Sequence, residues 1–260
     1  MSVAIRVIPC LLLKEWGIVK TVRFEKETYI GCPINAVRVF NANNVDELIL
    51  LDILATPKGR VVFTDILTQI TDESFMPITV GGGIRSQDDI REMLRHGADK
   101  VTVNTAAVVD PGFIKAAAAK FGRQCIVVSI DVRREGNGSC QVYTERGTTR
   151  TGLDPVEHAI HMEELGAGEI LLNSIDRDGT WEGYDVDLIR RVSEAVSVPV
   201  IACGGAGRLE HFADAVDRGG ASAVSAGSFF LFHGKRRGIL INYPSPKRLQ
   251  TVLGSHRVRL

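Results

Sequence analysis

The sequence predicts a (β/α)8 barrel that occupies residues 1–260 as one domain. Three observations carry this. Eight short apolar runs, bounded by Gly, Pro or Asp, alternate with segments of helical period through most of the 260 residues. Aromatic residues make up only 6% of the chain, as suits a barrel interior layered with Val, Ile and Leu. The chain also resembles itself at a spacing of about 122 residues, which divides it into half-barrels of about 1–122 and 123–245. A doubly wound sheet would rarely need so many strand–helix units.

The elements follow in order. An apolar run of about four to eight residues between turn signals reads as a strand buried on both faces. The first is 5–13. A long connection through 17–24 leads to a helix at 33–43. The second strand, 47–53, precedes a helix at 61–71 with Val62, Ile66, Leu67 and Ile70 on one face. The third, 78–80, leads to a helix at 86–96 that Ser86 caps and Gly97 ends. The fourth strand is 100–103, and its helix, 111–121, starts with Pro111. The fifth strand is 125–131. The helix at 154–165 opens on Asp154-Pro155 and stops at Gly166. The sixth strand, 169–173, is followed by a helix at 186–196. The seventh, 200–202, precedes a helix at 209–218, and the eighth is 223–226. Beyond it, 229–253 contains Gly238, Pro244 and Pro246, which break any long helix.

Composition excludes several other classes. Lys plus Arg is 31 and Asp plus Glu is 31, so no cationic excess is available for a nucleic-acid backbone. A hydrophobic content of 45% excludes disorder. No apolar run approaches the roughly 20 residues of a membrane span. The apolar N-terminal residues lack the basic start and cleavage site of a secretory signal, so a cytoplasmic location is expected. Cys10, Cys32, Cys125, Cys140 and Cys203 show no metal-ligand spacing and read as free thiols. His96, His158, His161, His211, His233 and His256 fall on helices or in the tail, away from strand ends. Neither a histidine base, a metal nor a cofactor is expected.

The repeat points to a site. Pro77-Ile-Thr-Val-Gly-Gly-Gly-Ile-Arg-Ser in one half answers Pro199-Val-Ile-Ala-Cys-Gly-Gly-Ala-Gly-Arg in the other. The blocks end at Val103-Asn104-Thr105 and Ala226-Gly227-Ser228. Each half thus places glycines after one strand and a small polar pair after the next, in loops at the C-terminal rim. Glycine lets a ligand approach the backbone, and N–H groups at helix starts attract anions. Gly82, Gly83, Asn104 and Thr105 form one candidate phosphate site. Gly205, Ala206, Gly207, Gly227 and Ser228, with Gly179 nearby, form the other. The pair suggests an elongated ligand with a phosphate at each end. The competing reading is that these glycines only make tight turns.

Carboxylates at strand C-termini are the catalytic candidates. Asp131 ends the fifth strand and leads. Asp52 ends the second, and Asp176 and Asp178 follow the sixth. Asp52 and Asp176 read as substrate-positioning groups or as loop hydrogen-bonders. Lys20, in the long first connection, reads as a phosphate partner or a mobile lid charge. At the opposite strand ends, Arg6, Glu47, Lys100 and Glu169 set two cations against two anions. They read as a structural ion-pair ring or as a gate into the barrel axis.

These residues carry a family resemblance along nearly the whole chain. Ile8-Pro-Cys10, Asp46-Glu-Leu48, Thr79-Val-Gly-Gly-Gly-Ile84, Gly97-Ala-Asp-Lys-Val101, Gly166-Ala-Gly-Glu-Ile-Leu-Leu172, Asp176-Arg-Asp-Gly-Thr180, Gly204-Gly-Ala-Gly207 and Glu210-His-Phe212 stand in order. Together they resemble the HisF family, the cyclase subunit of imidazole glycerol phosphate synthase. The resemblance implies a separate HisH-like glutaminase, docked at the N-terminal face, that supplies ammonia. It implies that the charged ring is the ammonia gate and that Asp99 lies at the partner interface. It also implies a bis-phosphate substrate, cyclised and cleaved to imidazole glycerol phosphate and an aminoimidazole carboxamide ribotide.

The family's catalytic aspartates end strands one and five. Asp131 matches the second. The first belongs to a Cys-Leu-Asp-Val-Lys motif, and here Cys10-Leu-Leu-Leu-Lys14 puts Leu12 at its position. Asn173 and Cys203 also replace smaller hydroxyl residues usual at their strand ends. Leu12 and the tail Gly238-Ile-Leu-Ile-Asn-Tyr-Pro-Ser245 resemble HisF-like paralogues associated with acetamidino sugars of lipopolysaccharide. The leading expectation is therefore a barrel subunit that channels ammonia to a separate sugar amidotransferase. The alternatives are a histidine-pathway cyclase and a scaffold that only activates the glutaminase.

Overall fold

The computed structural model describes residues 4–62, 64–136 and 138–254. Phe63, inside one expected helix, and His256 lie outside them. The eight parallel strands are β1 (Arg6–Lys14), β2 (Leu48–Asp52), β3 (Ile78–Gly81), β4 (Lys100–Val103), β5 (Ile126–Arg134), β6 (Glu169–Ser174), β7 (Val200–Cys203) and β8 (Ala223–Ala226). Each pairs with the next, and β8 pairs with β1, which closes the expected (β/α)8 barrel.

The period-two alternation of each strand builds two cores. Ile8, Ile49, Val127, Leu171, Ile201 and Ala223 turn inward and pack with Cys10 and Cys203 along the axis. Val7, Leu11, Leu48, Leu50, Val128 and Ile130 turn outward beneath the helices. The helices start where local chemistry dictates. Ser86 and Asp89 form a reciprocal capping box before Gln87–Arg95. Asp154 accepts from the Val156 and Glu157 amides before Pro155–Glu164. The helix expected at 61–71 starts later, at Thr64–Glu73.

Two antiparallel hairpins were not legible. Gly17–Val22 and Glu25–Gly31 extend β1, where a loop was expected. Cys140–Thr144 and Thr149–Arg150 extend β5. Both turns use left-handed residues that are not glycine, Arg23 and Phe24 in one and Glu145 and Arg146 in the other. Neither carries the Asn-Gly or Asp-Gly signal of such a turn.

The tail resolves into a short helix, Ser228–Leu231, a small hairpin of Phe232–His233 with Gly238–Ile239, and a final helix, Pro246–Leu253. Arg237 lies over the Trp181 ring at 4.6 Å and donates to the Gly179 and Thr180 carbonyls. Tyr243 stacks on Phe230, and its hydroxyl donates to the Val7 carbonyl at 2.9 Å. No helix among the described residues is long and apolar enough to cross a membrane.

Candidate active site

The barrel axis is polar at both ends. At the N-terminal end, β1, β4 and β6 open with Arg6, Lys100 and Glu169, and Glu47 stands immediately before β2. Arg6 contacts Glu47 at 2.5 Å and Glu169 at 2.9 Å, and Lys100 lies 3.1 Å from each carboxylate. Thr79 also donates to Glu47 at 2.7 Å. Burial disfavours the Arg6 charge, but Glu169 and Glu47 outweigh it and its pKa rises. The four residues thus form one closed ring of ion pairs. Asp99 lies exposed on the same side, where its carboxylate accepts from the Ile78 amide at 2.8 Å and caps the start of β3.

Above this ring lies the apolar belt of Ile8, Ile49, Val127, Leu171 and Ile201. The C-terminal end opens into a pocket of about 470 Å³. Asp131, on β5, stands in it between two amides. Asn104 donates to one carboxylate oxygen at 3.0 Å and Asn173 to the other at 3.3 Å. Burial pushes the Asp131 carboxyl up to about 7 and the nearby Asp178 charge adds to the rise, while donors from Asn173 and Ser129 oppose it. A carboxyl tuned near neutrality can exchange protons with a bound ligand. Leu12 lines the same pocket from β1, level with Leu51 of β2. Beneath it Cys10 hydrogen-bonds to Cys203, which together with burial raises the Cys10 thiol well above its usual range.

Lys20 departs from its expected place. It is no mobile lid charge, because it sits on the first hairpin and is only 4% exposed. Its ammonium grips Asp178 at 2.7 and 2.9 Å and the Thr21 carbonyl at 2.9 Å. Lys20 and Asp178 both line the pocket. Asp176 does not. Its carboxylate accepts from the Arg134 amide at 2.7 Å and holds the β5 extension. In Asp176-Arg-Asp178 the turn lets one carboxylate face the pocket, and Asp178 takes that place because Lys20 and Thr21 supply the donors. Asp52 lines the pocket but is occupied, accepting from Arg60 at 2.6 Å and from the Leu54 amide at 2.8 Å.

The two glycine clusters differ in exposure. Gly82, Gly83, Asn104, Thr105 and Gly227 line the pocket. Gly179, Gly205, Ala206, Gly207 and Ser228 lie outside its lining. Close packing of neighbouring loops also requires glycine here. A Cβ at Gly83 would fall 1.7 Å from the Arg60 carbonyl, and one at Gly205 2.2 Å from the Gly183 carbonyl. Sequence reasoning missed Arg60, the partner of Asp52, and named Asp178 among the strand-end carboxylates without giving it the place in the pocket that it assigned to Asp176. The doubled Asp-Arg-Asp was the signal for Asp178. Among the described residues no cluster of three His, Cys, Asp or Glu side chains is placed to hold a metal.

The sequence has relatives. A protein of Pseudomonas aeruginosa strain PAO1 named "Putative imidazole glycerol phosphate synthase subunit hisF2" is 48% identical over 244 residues, which cover 94% of this chain and 97% of that protein. The profile of a family described as "Histidine biosynthesis protein" matches residues 6–236, from the ion-pair ring through both glycine clusters to the tail hairpin. With barrel, ring and rim all inside that match, the chain belongs to the histidine biosynthesis protein family, as a HisF-type barrel.

Proposed function

We propose that this chain is the barrel subunit of a glutamine-dependent complex. It receives ammonia from a HisH-like glutaminase at the Arg6, Glu47, Lys100 and Glu169 end and carries it along the axis to the Asp131 pocket. The name of the Pseudomonas relative, a synthase subunit, supports a partner of this kind. Asp99 belongs to the docking face, and a phosphorylated ligand occupies the rim at Gly82, Gly83, Asn104 and Thr105. The second cluster, around Gly179, Gly205, Ala206, Gly207, Gly227 and Ser228, serves the far end of that ligand. The half-barrel repeat at about 1–122 and 123–245 accounts for the pairing of the two clusters.

We further propose that the ammonia serves amidination of an acetamido sugar, through a separate amidotransferase. One observation carries this. Leu12 lines the pocket that Asp131 occupies, and the HisF resemblance assigns its position to a second catalytic aspartate. Leucine neither gives nor takes a proton, so a paired acid–base cyclisation lacks one partner. Ammonia transfer needs only the ring and the axis. The test is turnover of the histidine-pathway substrate by the protein with ammonia, and with its glutaminase. Negligible turnover is expected, and turnover at an ordinary cyclase rate refutes the reading.

A cyclase of histidine biosynthesis is the second reading. It is favoured by Asp131, whose pKa of about 7 suits a general acid or base. Growth of a histidine auxotroph lacking its own cyclase, when given this chain, decides for it.

A further inference from the structure

Acidic and basic residues are balanced over the chain but not along it. Residues 219–260 hold no Asp or Glu and seven Lys or Arg, against totals of 31 and 31. Part of that excess is gathered on the tail hairpin, Phe232–His233 with Gly238–Ile239, whose turn carries Lys235 and Arg236. Both are exposed, and among the described residues no carboxylate pairs with either. Beside them Ile239 is 51% exposed and Leu240 52%. Phe232, Ile241 and Tyr243 pack on the core. The Leu240 amide donates to the Leu231 carbonyl at 3.0 Å, so this strand is fixed with Ile239 and Leu240 outward. Adjacent aliphatic side chains rimmed by unpaired cations mark an interaction surface rather than a solvated turn.

The hairpin is held in one place. Arg237 lies over the Trp181 ring at 4.6 Å and donates to the Gly179 and Thr180 carbonyls at 2.8 and 3.0 Å. Arg237 and Trp181 both take left-handed backbone conformations, at φ of 51° and 71°. Residues other than glycine keep such conformations where their surroundings impose them, and here the clasp between the two does so. The clasp fastens the hairpin to the turn that follows Asp178. Asp178 lines the pocket, as does Gly227, just ahead of the tail. The cationic patch thus stands at the C-terminal rim, at the far end of the axis from Arg6, Glu47, Lys100 and Glu169.

Charge and place define what docks there. Two cations at a turn are fewer than a nucleic-acid backbone or an anionic lipid surface needs for firm binding. A second copy of the chain would bring like charges together. Ammonia that leaves the pocket into water is protonated and lost as a nucleophile, so the enzyme that consumes it must sit on this rim. We propose that the tail hairpin is the docking element for the amidotransferase, which meets Lys235, Arg236, Ile239 and Leu240 with an acidic patch around an apolar centre. The docking rests on the function proposed above and adds the surface at which its two enzymes meet.

A photoreactive benzoylphenylalanine replaces Leu240 in the full chain, expressed in its own cells, and the cross-linked protein is identified by mass spectrometry. The same replacement at Phe75, 92% exposed and three positions before β3 at the opposite end of the barrel, is the control. Leu240 is expected to yield an amidotransferase joined through an acidic segment, and Phe75 the glutaminase. The amidotransferase so identified is then purified and its affinity for this chain is measured by calorimetry. The double variant Lys235→Glu/Arg236→Glu weakens binding at least tenfold. The matched variant Lys247→Glu/Arg248→Glu, on exposed cations of the final helix, leaves it unchanged. Cross-linking at Leu240 only to lipid, nucleic acid, a second copy of the chain or nothing overturns the docking. Equal weakening by the two double variants, or none by the first, overturns it as well. Cyclase turnover judges the function and the cross-link judges the docking. Negligible turnover with a cross-link at Phe75 and none at Leu240 strikes the docking alone, whereas turnover at an ordinary cyclase rate strikes the function.

Discussion

Replacing Asp131 by asparagine tests the electrostatics of the pocket. Burial raises this carboxyl from 3.8 to about 7. An acid whose folded pKa lies above its unfolded one costs stability. The cost is absent below the unfolded value, grows through the window from 3.8 to about 7, and is complete above it. Three pKa units correspond to about 4 kcal/mol. About 2–3 kcal/mol of that develops between pH 5 and pH 8. Asparagine carries no charge and escapes this slope. It also brings an NH2 against the amide donors of Asn104 or Asn173, which loses one hydrogen bond, about 1 kcal/mol at every pH. Asp131→Asn is therefore close to wild type near pH 5 and about 2–3 kcal/mol more stable at pH 8. Urea denaturation across that range, followed by tryptophan fluorescence, measures it. A difference between the two proteins that is flat with pH refutes the reasoning.

Four further outcomes are expected. Leu12→Asp returns a carboxylate to the pocket that Asp131 lines, so turnover of the histidine-pathway substrate with ammonia rises about 10²–10⁴-fold. Its urea midpoint falls slightly, since a half-buried leucine side chain is lost from the pocket wall, at about 1 kcal/mol. Lys20→Met leaves Asp178 buried without its cation and costs about 3–5 kcal/mol, most of which returns in the Lys20→Met/Asp178→Asn double variant by the same denaturation assay. Burial, with the nearby His161 charge, lowers His158 from 6.5 to about 4. Its neutral form is fully stabilising above the unfolded value, so stability falls as pH drops from 6.5 to about 4, by about 3 kcal/mol in all. His158→Leu has a shallower fall of thermal midpoint over that window. Asp99→Lys weakens glutaminase stimulation, while Asp99→Asn, which keeps an acceptor for the Ile78 amide, preserves the fold and isolates the charge.

What the sequence disclosed and what it withheld divide by where a side chain is carried. Strand-borne residues were legible, because alternation fixes which way each one faces. Arg6, Glu47, Lys100 and Glu169 could be placed together at the axis from their common phase at strand starts, and they meet there. Asp131 could be placed at the rim for the same reason, and it lines the pocket there. Loop-borne residues were not legible, because a loop has no period. Asp176 and Asp178 lie two positions apart in one turn, and the choice between them is made by Lys20, 158 residues distant from Asp178. Lys20 itself was hidden because its hairpin turns through Arg23 and Phe24 in left-handed conformations, at φ of 54° and 63°, that neither residue type advertises. The same limit applies to the amides beside Asp131. Asn173 was visible as an unusual residue at a strand end, but only the position of Asp131 beside it sets its amide N–H toward the carboxylate. Sequence periodicity thus locates the pocket, whereas its proton and hydrogen-bond inventory emerges only when distant strands close the barrel.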